Sequence, residues 1–176
     1  MRDTALDLQY LDVFPQWLRG LGDDAVQVGN ALAEATDDEG ARRLIAALNY
    51  IFQSLDCIAD GIADLGFLDD AFVLRVACAL ARPQQPHGAV RRLQEDAHAV
   101  REFLGEDYAR LESHVRGLGT RAVRGRTVED IAANAAIRTK FLDEVRDWSR
   151  AYKAPALSRD PKTLVKLRAF LDAKLP

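Results

Sequence analysis

Five aspartates crowd into the run YIFQSLDCIADGIADLGFLDDAFVL, from Tyr50 to Leu74, whose remaining residues are largely apolar. Asp56, Asp60 and Asp64 recur at every fourth position, so on a helix they share one face. Asp69 and Asp70 follow Gly66, where a tight turn could bring them back toward that face. Asp56, Asp60, Asp69 and Asp70 therefore form a candidate cage for Mg²⁺ or Ca²⁺, hard cations that take carboxylate oxygens. Competing uses of the same residues stay open. Like charges at i, i+4 destabilise a helix unless a partner or solvent compensates them, so an arginine partner or plain solvation would also account for the stripe. Asp69 is the best capping candidate for the next helix, because negative charge at a helix N-terminus is favourable. At about 100° per residue the stripe falls almost opposite the apolar seam of its own helix, which favours exposure. No cofactor is expected, with Mg²⁺ or Ca²⁺ as the alternative.

Glu95 and His98 have the Glu-x-x-His spacing of carboxylate-bridged di-iron bundles, with Glu102 one turn later. Such a centre needs two of these motifs and two further glutamates, and the chain has one motif. The three residues project roughly opposite their helix's apolar seam, which makes a solvated face the better reading. His87 directly follows the Pro83 to Pro86 loop and His114 lies on another turn, so no ligand set assembles. No Ser-His-Asp set, phosphate-binding loop or dinucleotide fingerprint is present, and enzymatic activity is not predicted. Cys57 and Cys78 are too far apart for a metal-type pair and sit in apolar contexts, which predicts two reduced, packed thiols.

A basic run, RGLGTRAVRGR, carries Arg116, Arg121, Arg124 and Arg126 with no acid between them. Guanidinium forks hold carboxylate or phosphate in a bidentate manner, and the glycines let a backbone approach. The run reads as a solvated connection, as an anion or protein docking site, or as a phosphate contact. The stretch TVEDIAANAAIRTKF superficially resembles the first part of a helix-turn-helix but lacks a turn glycine or other clear break, so sequence-specific nucleic-acid binding is not expected.

Within the aspartate run, Tyr50, Asp56, Asp60, Gly66, Phe67, Leu68, Asp69, Asp70 and Ala71 match, without a gap, the pattern of a tyrosine, spaced aspartates and a closing Gly-aromatic-Leu-Asp-Asp-Ala step. In this the segment resembles the YkvA-type domain of unknown function. The three prolines of that pattern fall on Ser54, Ala59 and Ala63, residues that permit a helix where proline would break one. The resemblance covers about Tyr50 to Leu74. It implies a bacterial helical module with no agreed activity, some of whose relatives sit in or near membranes.

The elements that must position these residues are helical. Leu44, Leu48, Ile51, Leu55, Ile58, Ile62 and Leu65 alternate steps of four and three, the seam of one helix. Asp37 or Asp38 can cap its start and Gly66 can end it. The next helix should open at Asp69 or Asp70 and run to Arg82, with Phe72, Val73, Val76 and Leu80 inward and Pro83 and Pro86 stopping it. A second seam, Val90, Leu93, Ala97, Val100, Leu104, Tyr108, Leu111, Val115 and Leu118, predicts one long helix bent at Gly105, or two in line. Thr127 and Asp130 suit a capping box for a helix carrying Ile131, Phe141, Val145, Trp148 and Tyr152. Asp160-Pro161 starts the last helix, with Leu164, Leu167 and Leu171 inward. Two shorter helices, Leu6 to Leu11 and Ala25 to Ala35, are expected on either side of Pro15 and Gly20-Leu21-Gly22. No alternating strand pattern is found. The prediction is an all-α bundle of six to seven helices with a central apolar helical hairpin, a single domain over 1–176 with the YkvA-like core at about 40–82.

At 176 residues, 48% apolar and 29% charged, the chain can bury a core without disulfides. Its net charge of −3 gives no global attraction to nucleic acid or acidic lipid. The acids in MRDTALDLQYLDVF interrupt any signal-peptide core, so a cytoplasmic location is expected. Leu44 to Ala63 has the length of a membrane span, but each central aspartate costs about 2.5–3.5 kcal/mol on insertion, which disfavours spanning and leaves peripheral contact open.

The function expected from these features is that of a helical interaction or scaffold protein, its partner another protein or a second copy. A straight helix over Val90 to Leu118 would extend about 40 Å, beyond the roughly 26 Å of a small domain, and so overhang its own core. A bend at Gly105 is the competing geometry. The alternatives are a divalent-metal enzyme using the aspartates and a peripheral membrane protein.

Overall fold

The apolar residues of α3, Leu68–Ala81, occur on every side of the helix, and each residue from Leu68 to Cys78 is buried. A helix apolar all round belongs at the centre of a fold, and α3 is indeed wrapped by its neighbours. The computed structural model describes residues 4–33, 39–53, 57–62, 65–81 and 88–176. Around α3 are arranged α1 (Thr4–Ala33), α2 (Glu39–Tyr50), α4 (Gly88–Leu104), α5 (Tyr108–Gly117), α6 (Val128–Ala133), α7 (Ala135–Ala151) and α8 (Lys162–Lys174). The chain is an all-α bundle, with no strand among the described residues beyond an isolated bridge between Val123 and Arg126. The packing of α2 on α3 supplies the apolar hairpin, α4 covers α3, and α1 spans between α4 and α7. Tyr10, Phe14, Trp17, Phe72 and Phe103 interlock mostly edge to face where α1, α3 and α4 meet.

The N-terminal pair of short helices expected from Pro15 and the glycines is instead one helix of 30 residues. Proline removes one helix hydrogen bond and glycine lowers propensity, yet Phe14, Leu18, Leu21, Ala25 and Val28 are all buried along one face. That burial outweighs the local penalties. The glycines serve packing, since a Cβ on Gly22 would lie 2.9 Å from Ser149 Oγ and one on Gly29 3.2 Å from Leu142 Cδ2, so both let α7 approach closely.

The single helix expected from Leu44 to Leu65 ends at Tyr50, and the chain then turns. Short-range bonds from Phe52 N to Asn49 O and from Gln53 N to Tyr50 O tighten its last turn. Ile51, Ile58 and Leu65 are buried all the same, so the four-three spacing marks burial here and not continuous helix. Ser54 and Ala63 lie outside the described residues, whereas Ala59 is in irregular backbone without the proline of the YkvA pattern. Gly66 closes the segment where a Cβ would stand 2.4 Å from the Asp60 carbonyl oxygen. The expected caps at Asp37 and Asp38, and the stops at Pro83 and Pro86, also lie outside the described residues.

The long seam is divided as the glycine suggests. A 3-10 turn, Gly105–Asp107, with Gly105 at φ +60, separates α4 from α5. All nine seam positions are buried in the chain's own core, so the expected overhang does not exist. The bend folds both halves onto one core. The helix expected from Thr127 to Tyr152 is likewise split. The Thr127–Asp130 capping box forms around α6, and Asn134, in extended backbone, accepts bonds from Ala136 N and Ile137 N to start α7. Asn134 is the break that the sequence did not reveal. Asp160 Oδ1 accepts from Lys162 N at the start of α8, whose Leu164, Leu167 and Leu171 point inward.

Candidate functional site

Tyr50, Cys57, Ile58 and Asp69 form a polar latch between α2 and α3. Tyr50 ends α2, and its hydroxyl donates a 2.6 Å bond to Asp69 Oδ2 in the first turn of α3. The same oxygen accepts from Ile58 N at 3.1 Å, and Tyr50 Oη accepts from Cys57 N at 2.9 Å. Two amides of a non-helical loop thus find acceptors inside the protein, as buried backbone groups must. Burial, then the negative charge of Asp69, pushes the Tyr50 phenol far above its ordinary value, so it remains a donor. His114 of α5 completes the cluster: its ring meets Tyr50 edge to face at 5.8 Å, and its Nε2 lies 3.7 Å from Cys57 Sγ.

The aspartates expected to form a cation cage differ in their surroundings. Asp60 is exposed on the turn after Ala59, while Asp69 and Asp70 are buried. Asp70 and Asp60 act on Tyr152, where their charges add to burial in raising that phenol. Asp69 holds the latch and is not the simple helix cap expected. Asp56 and Asp64 lie outside the described residues. With α2 ending at Tyr50, no helix carries the expected i, i+4, i+8 stripe through Asp60. Among the described residues no group of three or more His, Cys, Asp or Glu side chains is placed to hold a metal ion.

A second charged cluster escaped the sequence reading. Arg75, wholly buried on α3, donates to Asp96 Oδ2 at 3.1 Å, to Asp24 Oδ2 at 3.4 Å and to the Ala71 carbonyl at 3.1 Å, while its guanidinium covers the Trp17 ring. Asp24, 2% exposed on α1, also receives Arg92 at 2.5 Å. Burial lowers the Arg75 pKa and the two aspartates oppose that shift. Beside these groups opens a polar cavity of about 380 Å³, with Gln16, Asp23 and Gln27 at its rim. The available signal was a single arginine inside the apolar stretch AFVLRVACAL, since a charge there must be paired.

The basic run is an ordered turn. Val123 and Arg126 exchange backbone hydrogen bonds around Arg124 and Gly125, which have φ of 51° and 76°. Two residues at positive φ are what a tight hairpin turn requires. Arg126 grips Glu144 with two bonds of 3.0 and 2.5 Å and lies over the Phe141 ring. Arg124 lies over Phe52, 3.9 Å from the same glutamate. Arg116 pairs with Glu112 at 2.9 Å. Arg121 is exposed and, among the described residues, has no ion pair.

Glu95 and His98 are exposed on α4, and His98 pairs with Glu102 across one turn at 3.4 Å. That is the solvated face anticipated. His87 lies outside the described residues. Cys57 and Cys78 are buried and not joined by a disulfide. No described helix is long and apolar enough to cross a membrane. The chain matches no protein-family model, no curated protein and no solved structure.

Proposed function

We propose that this protein is a helical interaction module that docks an acidic segment of a protein partner at the arginine turn between α5 and α6. The observation that carries this reading is the backbone of Arg124. A non-glycine residue at φ 51° sits in a conformation that costs roughly 1–2 kcal/mol for an L-residue, and such outliers concentrate at functional sites. The strain is held in place by Phe52 below and Glu144 beside it. Four guanidiniums in this run are answered by two carboxylates, Glu112 and Glu144, which leaves the turn locally basic on a chain of net charge −3.

A groove of about 150 Å³ adjoins the turn, with Ala46, Val115 and Val128 in its lining and Arg42, Arg43 and Arg116 at its edges, paired in turn with Glu129, Glu39 and Glu112. Glu39 and Glu129 are exposed side chains that an incoming carboxylate can replace, so the apolar floor and guanidinium rim suit a segment that alternates acidic and aliphatic side chains better than a bare anion. The YkvA-like segment enters as the framework, its latch holding α2 and α3 beneath this face.

The test is fluorescence anisotropy with a short labelled peptide of alternating glutamate and leucine. Saturable binding that weakens with salt and is lost in Arg121→Glu supports the proposal. Binding unchanged in Arg121→Glu, or none, overturns it. Light scattering separates the source of the segment: a dimer that dissociates in Arg121→Glu identifies a second copy as the partner, and a monomeric parent that binds the peptide identifies another protein.

A further inference from the structure

Neither the latch nor the arginine turn accounts for the pairing of Cys57 with His114. The thiol and the imidazole come from residues 57 positions apart, and Sγ lies 3.7 Å from Nε2, within reach of an S–H···N hydrogen bond. The groups that face this pair come from several elements: Tyr50 from α2, Asp69 from α3, and Arg121 from the turn after α5. Burial and the Arg121 charge both disfavour a protonated His114. The resting ring is therefore neutral, its Nε2 accepts the thiol hydrogen bond in the Nδ1–H tautomer, and the same two effects make any imidazolium it forms give its proton up readily to a leaving oxygen. A nucleophile within hydrogen-bond reach of a base that a neighbouring group holds in place is the arrangement that activates a weak nucleophile. Here the edge of the Tyr50 ring system packs against the imidazole at 5.8 Å.

Cys78 provides an internal contrast. It is wholly buried on α3 with its pKa pushed up to about 12, and burial is the main cause. Cys57 is 6% exposed in a loop, beside a half-buried histidine. One thiol is thus inert packing, and the other, though buried, has a base within hydrogen-bond reach.

We propose that Cys57 is a hydroperoxide-reactive thiol, deprotonated by His114 and converted to a sulfenic acid. His114 takes the thiol proton, and the sulfur attacks the distal oxygen of a hydroperoxide. An S–O bond forms as the O–O bond breaks, the sulfur loses two electrons to the peroxide, and the departing hydroxide or alkoxide takes the proton from His114. Thiol and hydroperoxide give sulfenic acid and water or alcohol, with no further reactant. The Cys57 amide donates to Tyr50 Oη, so an added oxygen on the neighbouring sulfur strains the latch and lowers the melting temperature.

The experiment treats the folded chain with near-stoichiometric hydrogen peroxide, traps sulfenic acid with dimedone, and locates adducts by peptide mass spectrometry. The expected result is an adduct on Cys57 and none on Cys78. In His114→Gln, with its fold checked by circular dichroism, the rate at neutral pH drops about tenfold, the order by which a base raises the thiolate share of an ordinary cysteine. The loss shrinks in alkaline buffer, where hydroxide replaces the base, and a merely structural histidine would not show that pH dependence. Iodoacetamide labelling of the parent, which needs no variant, should modify Cys57 well before Cys78. Equal labelling of the two cysteines, no Cys57 adduct in the folded chain, or an unchanged rate in a folded His114→Gln overturns the proposal.

Discussion

The hydroxyl of Tyr50, at the last position of α2, donates a 2.6 Å hydrogen bond to the carboxylate of Asp69 in the first turn of α3. Because Asp69 also accepts from Ile58 N, and Tyr50 from Cys57 N, this one pair fixes both helix ends and the loop between them. Tyr50→Phe deletes one hydroxyl yet leaves the Cys57 amide without its acceptor and Asp69 Oδ2 with one donor fewer. An orphaned buried group costs about 1–3 kcal/mol, so urea denaturation should show Tyr50→Phe destabilised by about 2 kcal/mol. Asp69→Ala should lose more, since it strips two donors of their acceptor. A Tyr50→Phe variant as stable as the parent would mean the latch is dispensable.

Gly66 is set by space. The Cβ of any other residue would stand 2.4 Å from the Asp60 carbonyl oxygen and 3.1 Å from that of Ile62, and backbone oxygens cannot rotate away. Gly66→Ala should therefore destabilise by about 3 kcal/mol, the upper end for overpacking, with a lowered thermal midpoint. Gly88 makes a control, because a Cβ there meets nothing within 4 Å, and Gly88→Ala should melt like the parent.

Arg75 and Asp24 are each nearly devoid of solvent, so neither tolerates the loss of the other. Asp24→Ala leaves the buried guanidinium with Asp96 as its remaining carboxylate, and breaking such a pair costs about 3–5 kcal/mol. Replacing both, as in Asp24→Leu with Arg75→Met, removes the charges together and should recover most of that loss. A double-mutant cycle by urea denaturation measures the coupling. Additive losses would show that the two charges do not act as a unit.

Much of the fold was legible because it rests on local patterns. The three-four seams, the capping box at Thr127 and Asp130, the cap at Asp160 and the glycine bend at Gly105 each need only a few neighbouring residues. The failures lie where tertiary burial overrides local preference. Pro15 and Gly22 read as breakers, yet packing against Ser149, far along the chain, keeps α1 whole. The seam past Tyr50 predicted helix because Ile51, Ile58 and Leu65 are buried, and burial by a folded loop leaves the same trace in sequence. Asp69 could be singled out but not its partner, since the side-chain bond to Tyr50 spans 19 positions. Arg75 with Asp24 and Cys57 with His114 are longer-range still.

Alkaline pH should unfold the protein in two stages. Cys78 is raised from 9.0 to about 12, chiefly by burial, and Tyr50 is raised above its ordinary 10.0 by burial and then by the Asp69 charge. Both are acids that stay protonated in the folded chain and ionise once unfolding exposes them. Above its ordinary value each group binds a proton in the folded state alone, so stability falls as pH rises. The contribution is complete below pH 9, and the decline begins there with Cys78, at about 1.4 kcal/mol per pH unit for one proton. Above pH 10 Tyr50 joins and the slope steepens, while the Cys78 share stops growing near pH 12. Urea denaturation across pH 7 to 11 should show this break. Cys78→Ala should delay the onset from about pH 9 to about 10, and Tyr50→Phe should leave the onset in place but make the second limb shallower, the raised phenols of Tyr10 and Tyr152 keeping part of it. A parent whose stability is flat from pH 8 to 10 would show that Cys78 is not held protonated by the fold.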